Sequence, residues 1–471
     1  MARTTREIRI RRQMRGFVLI WAGITFVMGA VTFVAIYLAY GSITDERFAG
    51  ALRNVALPET VAVEGTPSQS GEAVAQANTP TIPPTLPATS TRVAQLATTA
   101  PTNPPPTATL LPIEVTRFQL GVQVQVSYDI MDQWMDVAAN QLDVNWVKQQ
   151  VRWQDIETAP DVYDWTVLDL YLPAAQQYGL KVLISVVTAP EWAREPGVDL
   201  SKHGPPDNPQ DYADFVSDIL RRYPGMVHAV EVWNEQNLDR EWTSTEGLTA
   251  ANYVELLRVS YQAIKAVDPG VIVVSGALAP TGLSDGVSAW DDFVYMDQMI
   301  EAGLLNYTDC VGAHHNGINV SPDYTSDAIP DDPTAQFRGP FDNPHHSWSF
   351  RSTLQTYASK IALAGGDQKL CVTEFGWPSA EGLDGVPEGF GFALDNTLEE
   401  QRDFTVRALN NMVEWDIVQL AFLWNLNYGA QAGWDPNNDN VAYSIIGPGF
   451  QFRPVFDAVR DWNREYESRF Q

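Results

Sequence analysis

From residue 117 onward, short apolar runs alternate with amphipathic segments. The apolar runs are FQLGVQV (118–124), VNWVKQQVRW (144–153), KVLISVV (181–187), MVHAVEVW (226–233), VIVVSGAL (271–278), DCVGAHH (309–315), KLCVTEFGW (369–377) and QLAFLWNLN (419–427). Each has the length and β-branched content of a buried strand. Between them lie helical patterns. In NYVELLRVSYQAIKAV, Tyr253, Leu257, Ile264 and Val267 share one stripe, and TLEEQRDFTVRALNNMVEW opens with Thr397 and Glu400 spaced as a capping box. Eight strands alternating with helices predict an α/β fold, a (β/α)8 barrel over residues 114–471. A doubly wound sheet is the rival, but no G-x-G-x-x-G follows the first strand.

The pattern changes towards the N-terminus. Residues 1–15 carry six arginines against one glutamate, and residues 16–40 carry no charge at all. At ~1.5 Å per residue that run is long enough to cross a ~30 Å hydrocarbon core. It is longer than the apolar part of a cleaved signal peptide, and no convincing small-residue cleavage site follows. The expectation is a single transmembrane helix with the basic tail in the cytoplasm and the rest outside, so the cytoplasmic membrane is an expected partner. Residues 41–113 hold a juxtamembrane segment and a Thr/Pro-rich stretch with almost no charge or aromatic residues, which reads as a disordered, extended linker.

Composition narrows the chemistry. The formal charge is −28, and no basic face is visible beyond the extreme N-terminus, which argues against a nucleic-acid partner. Cys310 and Cys371 are the only cysteines, each inside an apolar run. They read as two buried free thiols, not as a disulfide framework or a metal site.

In such a barrel the active groups gather at the C-terminal ends of the strands. There the chain carries Arg152-Trp153, Trp233-Asn234-Glu235, His314-His315-Asn316, Glu374-Phe375-Gly376-Trp377 and Trp424-Asn425. Two carboxylates on strands 4 and 7 would face each other across the barrel mouth. Cleavage of a glycosidic bond needs such a pair, one to protonate the leaving oxygen and one to attack the anomeric carbon. Arg152 could hold the second carboxylate ionised, and Asn234 could bind the sugar 2-hydroxyl. Trp153, Trp192, Trp242, Trp377, Trp424 and Trp434 are candidate stacking faces for sugar rings. Adjacent His314 and His315 point to opposite faces of a strand, and no H-E-x-x-H motif or third ligand accompanies them. No metal and no cofactor is therefore expected; one of the two histidines is read as a hydrogen-bond partner in the site. The loop WDPNNDN (434–440) lacks the glycine and distal glutamate of an EF-hand.

The phrase WNEQNL followed by Trp242, with the later TEFGW, resembles the clan A glycoside hydrolases, which are retaining (β/α)8 enzymes. The surroundings of Glu235 are most similar to family 39, and TEFGW to family 5 and its cellulase-like relatives. WQDIETAPDVYDW (153–165) is similar to the strand 2 exit of these families. The resemblance covers the whole head and implies Glu235 as acid/base, Glu374 as nucleophile, Asn234 as 2-hydroxyl partner, and Arg152 and Trp424 as supports. It implies a carbohydrate substrate. Two departures stand out: Gln236 replaces the usual proline, and after strand 6 no tyrosine is evident where the family often places one. The long loop 317–350 follows no family pattern and is the expected seat of specificity. A catalytically weak glycan-binding or scaffolding barrel, and a transglycosylase sharing the first chemical step, are the alternatives.

Overall fold

The computed structural model describes residues 117–470. The predicted membrane segment and linker lie outside these residues. Among the described residues, no helix is long and apolar enough to cross a membrane.

All eight predicted strands are present: β1 Gln119–Gln123, β2 Trp146–Arg152, β3 Lys181–Val187, β4 Ala229–Val232, β5 Ile272–Ser275, β6 Val311–Asn316, β7 Leu370–Gly376 and β8 Val418–Leu423. They pair in parallel in the order β5-β4-β3-β2-β1-β8-β7-β6. Bridges between Val274 and Cys310 and between Leu278 and Ala313 close β5 onto β6. The result is a (β/α)8 barrel. Eight helices alternate with the strands: α1 Met131–Asp136, α2 Thr166–Gln177, α3 Pro209–Arg222, α4 Ala250–Val267, α5 Asp292–Glu301, α6 Phe350–Leu363, α7 Leu398–Trp415 and α8 Pro454–Ser468. The Thr397–Glu400 capping box at the start of α7 is formed as its spacing predicted. It satisfies backbone N–H groups that the first helical turn leaves without partners.

The barrel interior is layered. Trp146, Leu183, Ala229, Val274, Leu420 and Phe422 fill its lower end, together with Cys310 and Cys371. The two cysteines form a disulfide, with Cα atoms 5.7 Å apart. This corrects the expectation of free thiols: the cysteines are 61 positions apart in the chain, but β6 and β7 are neighbours in the sheet. Above this apolar layer, alternate residues of the same strands turn polar. Gln123, Lys148, Ser185, Glu231 and Thr373 are all buried there. They lie beneath the residues that line the cleft, where Lys148 reaches up to Glu374.

Candidate active site

A cleft of about 980 Å³ opens at the C-terminal ends of the strands, and Asn234, Glu235, His314, Asn316, Glu374 and Trp424 are among its lining residues. Two local departures from regular strand geometry bring the carboxylates into it. Regular alternation after Glu231 would send Trp233 into the barrel. Instead Trp233 takes φ 77° and packs in the helical layer between Tyr212 and Trp242. Asn234 and Glu235 then occupy the cleft, and Glu235, itself at φ 48°, is fixed by donating its N–H to the Ala277 carbonyl (2.8 Å). Positive φ at non-glycine residues costs of order 1–3 kcal/mol and gathers at functional sites. On β7 the register slips by one residue between its pairing with Ala313 and with His314. This bulge lets Thr373 face the interior layer while Glu374 also faces the cleft.

One imidazole joins the two acids. His314 Nδ1 lies 3.2 Å from Glu235 Oε1, and its Nε2 lies 3.8 Å from Glu374 Oε1. Arg240, on the loop after β4, donates from Nη2 to Glu235 Oε2 at 3.0 Å. Burial would raise the Glu235 carboxyl, but the hydrogen bond and charge of His314 and the Arg240 guanidinium outweigh it and hold it down at about 2. Burial would likewise lower His314. The charge of Glu374 and the bond to Glu235 overcome that effect, and its value is raised. Of the two groups, His314 therefore holds a shared proton more tightly than Glu235 does.

Glu374 has its own partners. Lys148 Nζ donates to its Oε1 at 3.1 Å, and Asn316 Nδ2 donates to its Oε2 at 3.2 Å. Lys148 is fully buried and also lies 3.5 Å from Glu231 Oε2. Burial works against its charge, but Glu374 and Glu231 together raise its value above that of an ordinary lysine. Glu231 accepts from Thr373 Oγ1 (2.7 Å) on its other oxygen.

The structure corrects several expected site residues. Arg152 is half exposed and lies 3.5 Å from Asp155, away from both acids. It shares the inward parity of Lys148 but sits two pleats higher on β2, and Lys148 supplies the cation expected of it. Trp153 has the opposite parity; it is buried against Phe215 and donates to Glu157 Oε2. Trp242 is buried between Trp233 and Tyr253. Trp377 is buried and donates to the Val320 carbonyl, holding the base of the loop after β6. Trp192 and Trp434 pack against Trp153 and Phe450. Of these six tryptophans, Trp424 alone lines the cleft. Asn234 lines it too, with a buried Oδ1 that has no partner. His315 packs its ring edge-on against Phe350 at the border of the cleft and is lowered by burial to about 4.

Sequence reasoning did not single out Lys148, Arg240 or Tyr428. Tyr428, in the turn after β8, places an aromatic ring in the cleft beside Trp424. The polar interruption in VNWVKQQVRW was the available signal for Lys148, since a lysine in the middle of a central strand must find counter-charges.

No protein-family profile and no curated protein matches the chain. Solved structures do. The chain is similar to a family 39 glycoside hydrolase from the gut symbiont Bacteroides cellulosilyticus WH2, with 17% identity, a TM-score of 0.54, and coverage of 75% of this chain and 64% of that one. It is similar to the GH39 enzyme from Xanthomonas axonopodis pv. citri, with 15% identity, a TM-score of 0.51, and coverage of 76% and 68%. A glucosidase from Croceicoccus marinus gives 15% identity, a TM-score of 0.51, and coverage of 74% and 67%. This chain thus spans less than two thirds of the length of the Bacteroides enzyme. These likenesses establish the barrel fold.

Proposed function

We propose that this chain is a retaining O-glycoside hydrolase, with Glu374 as nucleophile and Glu235 as acid/base. One observation carries the reading: carboxylates from the exits of β4 and β7 meet the two nitrogens of one buried imidazole at the floor of the cleft. In the first step a Glu374 oxygen bonds to the anomeric carbon while the bond to the leaving oxygen breaks. Glu235 gives that oxygen its proton, which it draws from His314 Nδ1. In the second step Glu235 takes a proton from water, the water oxygen bonds to the anomeric carbon, and Glu374 is released. Lys148 and Asn316 fix the attacking carboxylate, and the free Asn234 Oδ1 is suited to accept from the sugar 2-hydroxyl.

We place the head outside the cytoplasmic membrane, tethered by residues 16–40 through the Thr/Pro-rich linker. The charge-free run behind a basic tail supports this, and the Cys310–Cys371 disulfide is consistent with an oxidising compartment.

The test is a screen of aryl glycosides and polysaccharides, with the product anomer followed by NMR. Retention of configuration and a covalent adduct on Glu374 after treatment with a fluorinated glycoside are expected. Binding without turnover or adduct would leave the glycan-binding reading standing, and transfer to added acceptor sugars in place of hydrolysis would favour the transglycosylase. A Glu374→Ala variant with unchanged rate would remove the nucleophile assignment.

A further inference from the structure

Next to residues that line the cleft, such as Ala289 and Ser347, Asp291, His345 and His346 converge. Their ligand-capable atoms all lie within 4.8 Å of one another. Asp291 Oδ2 is 3.4 Å from His346 Nε2 and 3.5 Å from His345 Nε2. With metal–ligand bonds of about 2.0–2.2 Å, the edges of a tetrahedral zinc site are about 3.3–3.6 Å. We propose that these three residues bind a divalent transition-metal ion of the zinc class, which clamps two loops of the cleft together.

Each ligand is oriented by a separate contact. Asp291 caps α5, and its Oδ1 accepts from the Phe293 and Val294 N–H groups, which leaves Oδ2 for the histidines. His345 Nδ1 lies 2.9 Å from Ser347 Oγ, an acceptor that would hold the ring proton on Nδ1 and free Nε2. The Ser347 N–H also approaches Nδ1, at 3.3 Å, the arrangement of the opposite tautomer. His346 stacks face to face on Phe293, with centroids 3.5 Å apart. Its Nε2 is also 3.0 Å from Asp292 Oδ1, so without an ion it can donate to that buried carboxylate. Binding would expel this proton and leave Asp292 Oδ1 beside the ion. Asp292 would keep its contact with Tyr357, whose hydroxyl donates to Oδ2. Two imidazoles and a carboxylate favour zinc-like ions over calcium or magnesium, which take all-oxygen sites. His345 is a third exposed, which gives the ion a path from solvent.

The placement gives the ion a task. Asp291 ends the loop after β5, which contributes Thr281, Leu283 and Ala289 to the cleft, and the histidines lie on the long loop after β6, which contributes Ile318, Ser347 and Trp348. An ion would tie these walls together without touching the reacting carboxylates.

The test is titration of metal-free, full-length protein lacking any histidine tag with ZnCl2, followed by calorimetry, native mass spectrometry and thermal melting. One ion per chain is expected, together with a rise in melting temperature that a chelator reverses. Asp291→Asn keeps a capping side chain and removes the carboxylate, and His345→Ala leaves the His346–Asp292 contact intact. Each should weaken zinc binding about tenfold or more with unchanged circular dichroism. No stoichiometric binding to the wild type, or a loss of less than tenfold in both variants, would overturn the proposal.

Discussion

His314 Nδ1 stands 3.2 Å from Glu235 Oε1 on the buried floor of the cleft. Its other nitrogen faces Glu374, so a single imidazolium serves both acids. The basic limb of the kcat/KM profile should therefore report loss of the shared proton, above the ordinary histidine value of 6.5. In His314→Gln that proton has only Glu235 to occupy, whose ordinary value is 4.5. The basic limb should move down by more than about one pH unit, and kcat at neutral pH should fall about 100-fold. A profile that keeps its basic limb in place would remove the histidine from the proton path.

Lys148 lies between Glu374 at 3.1 Å and Glu231 at 3.5 Å, with none of its side chain exposed. Lys148→Met leaves two buried carboxylates without their cation. Removing one partner of a buried pair costs about 3–5 kcal/mol, so urea unfolding at neutral pH should show a loss of that order, with hydrolysis abolished. Adding Glu231→Gln should recover part of the stability. It should not restore turnover, since Glu374 would still lack its donor at Oε1.

The eight strands were legible because each is a buried apolar run, and a parallel barrel covered by helices allows little else. Glu235 and Glu374 were legible because each ends such a run. What the runs did not show is where strict alternation fails. The left-handed turn at Trp233 and the bulge in β7 decide which side chains enter the cleft, and neither has a glycine or proline to mark it. Counting parity along β2 would have sent Trp153 into the helical layer and pointed Lys148 and Arg152 alike inward; only their depth along the strand separates those two. The Cys310–Cys371 bond is a contact between neighbouring strands, which requires the sheet order and not the composition.

The Arg240–Glu235 pair predicts a pH signature. Glu235 is held at about 2, below its ordinary 4.5. Its ionised form therefore stabilises the fold above about pH 4.5, and that contribution disappears as the pH falls towards 2. Arg240→Met removes one of its two cations. The side chain of Arg240 is 69% exposed, so solvent screening limits the loss at neutral pH to under about 1 kcal/mol. The gap between variant and wild type should close as the solution is acidified, and narrow in high salt. Unfolding curves across the acid range would check this, and a gap that widened on acidification would contradict the pairing.

The disulfide makes a separate claim about stability. It joins the beginnings of β6 and β7 at the lower end of the barrel, away from the cleft. Its two cysteines are 61 positions apart in the chain. Closing a loop of that length restricts the unfolded chain by about 4 kcal/mol in the loop-entropy account. A Cys310→Ala/Cys371→Ala double variant should lose stability of that order and melt lower. A reducing agent should shift the wild type towards the variant and leave the variant unchanged. The proposed catalytic groups on the same strands lie at their opposite ends, held by Lys148, Asn316 and Arg240, so kcat below the melting range should stay within about twofold of the wild type. A double variant as stable as the wild type, in oxidising buffer, would show that the two sulfurs contribute only as buried apolar groups.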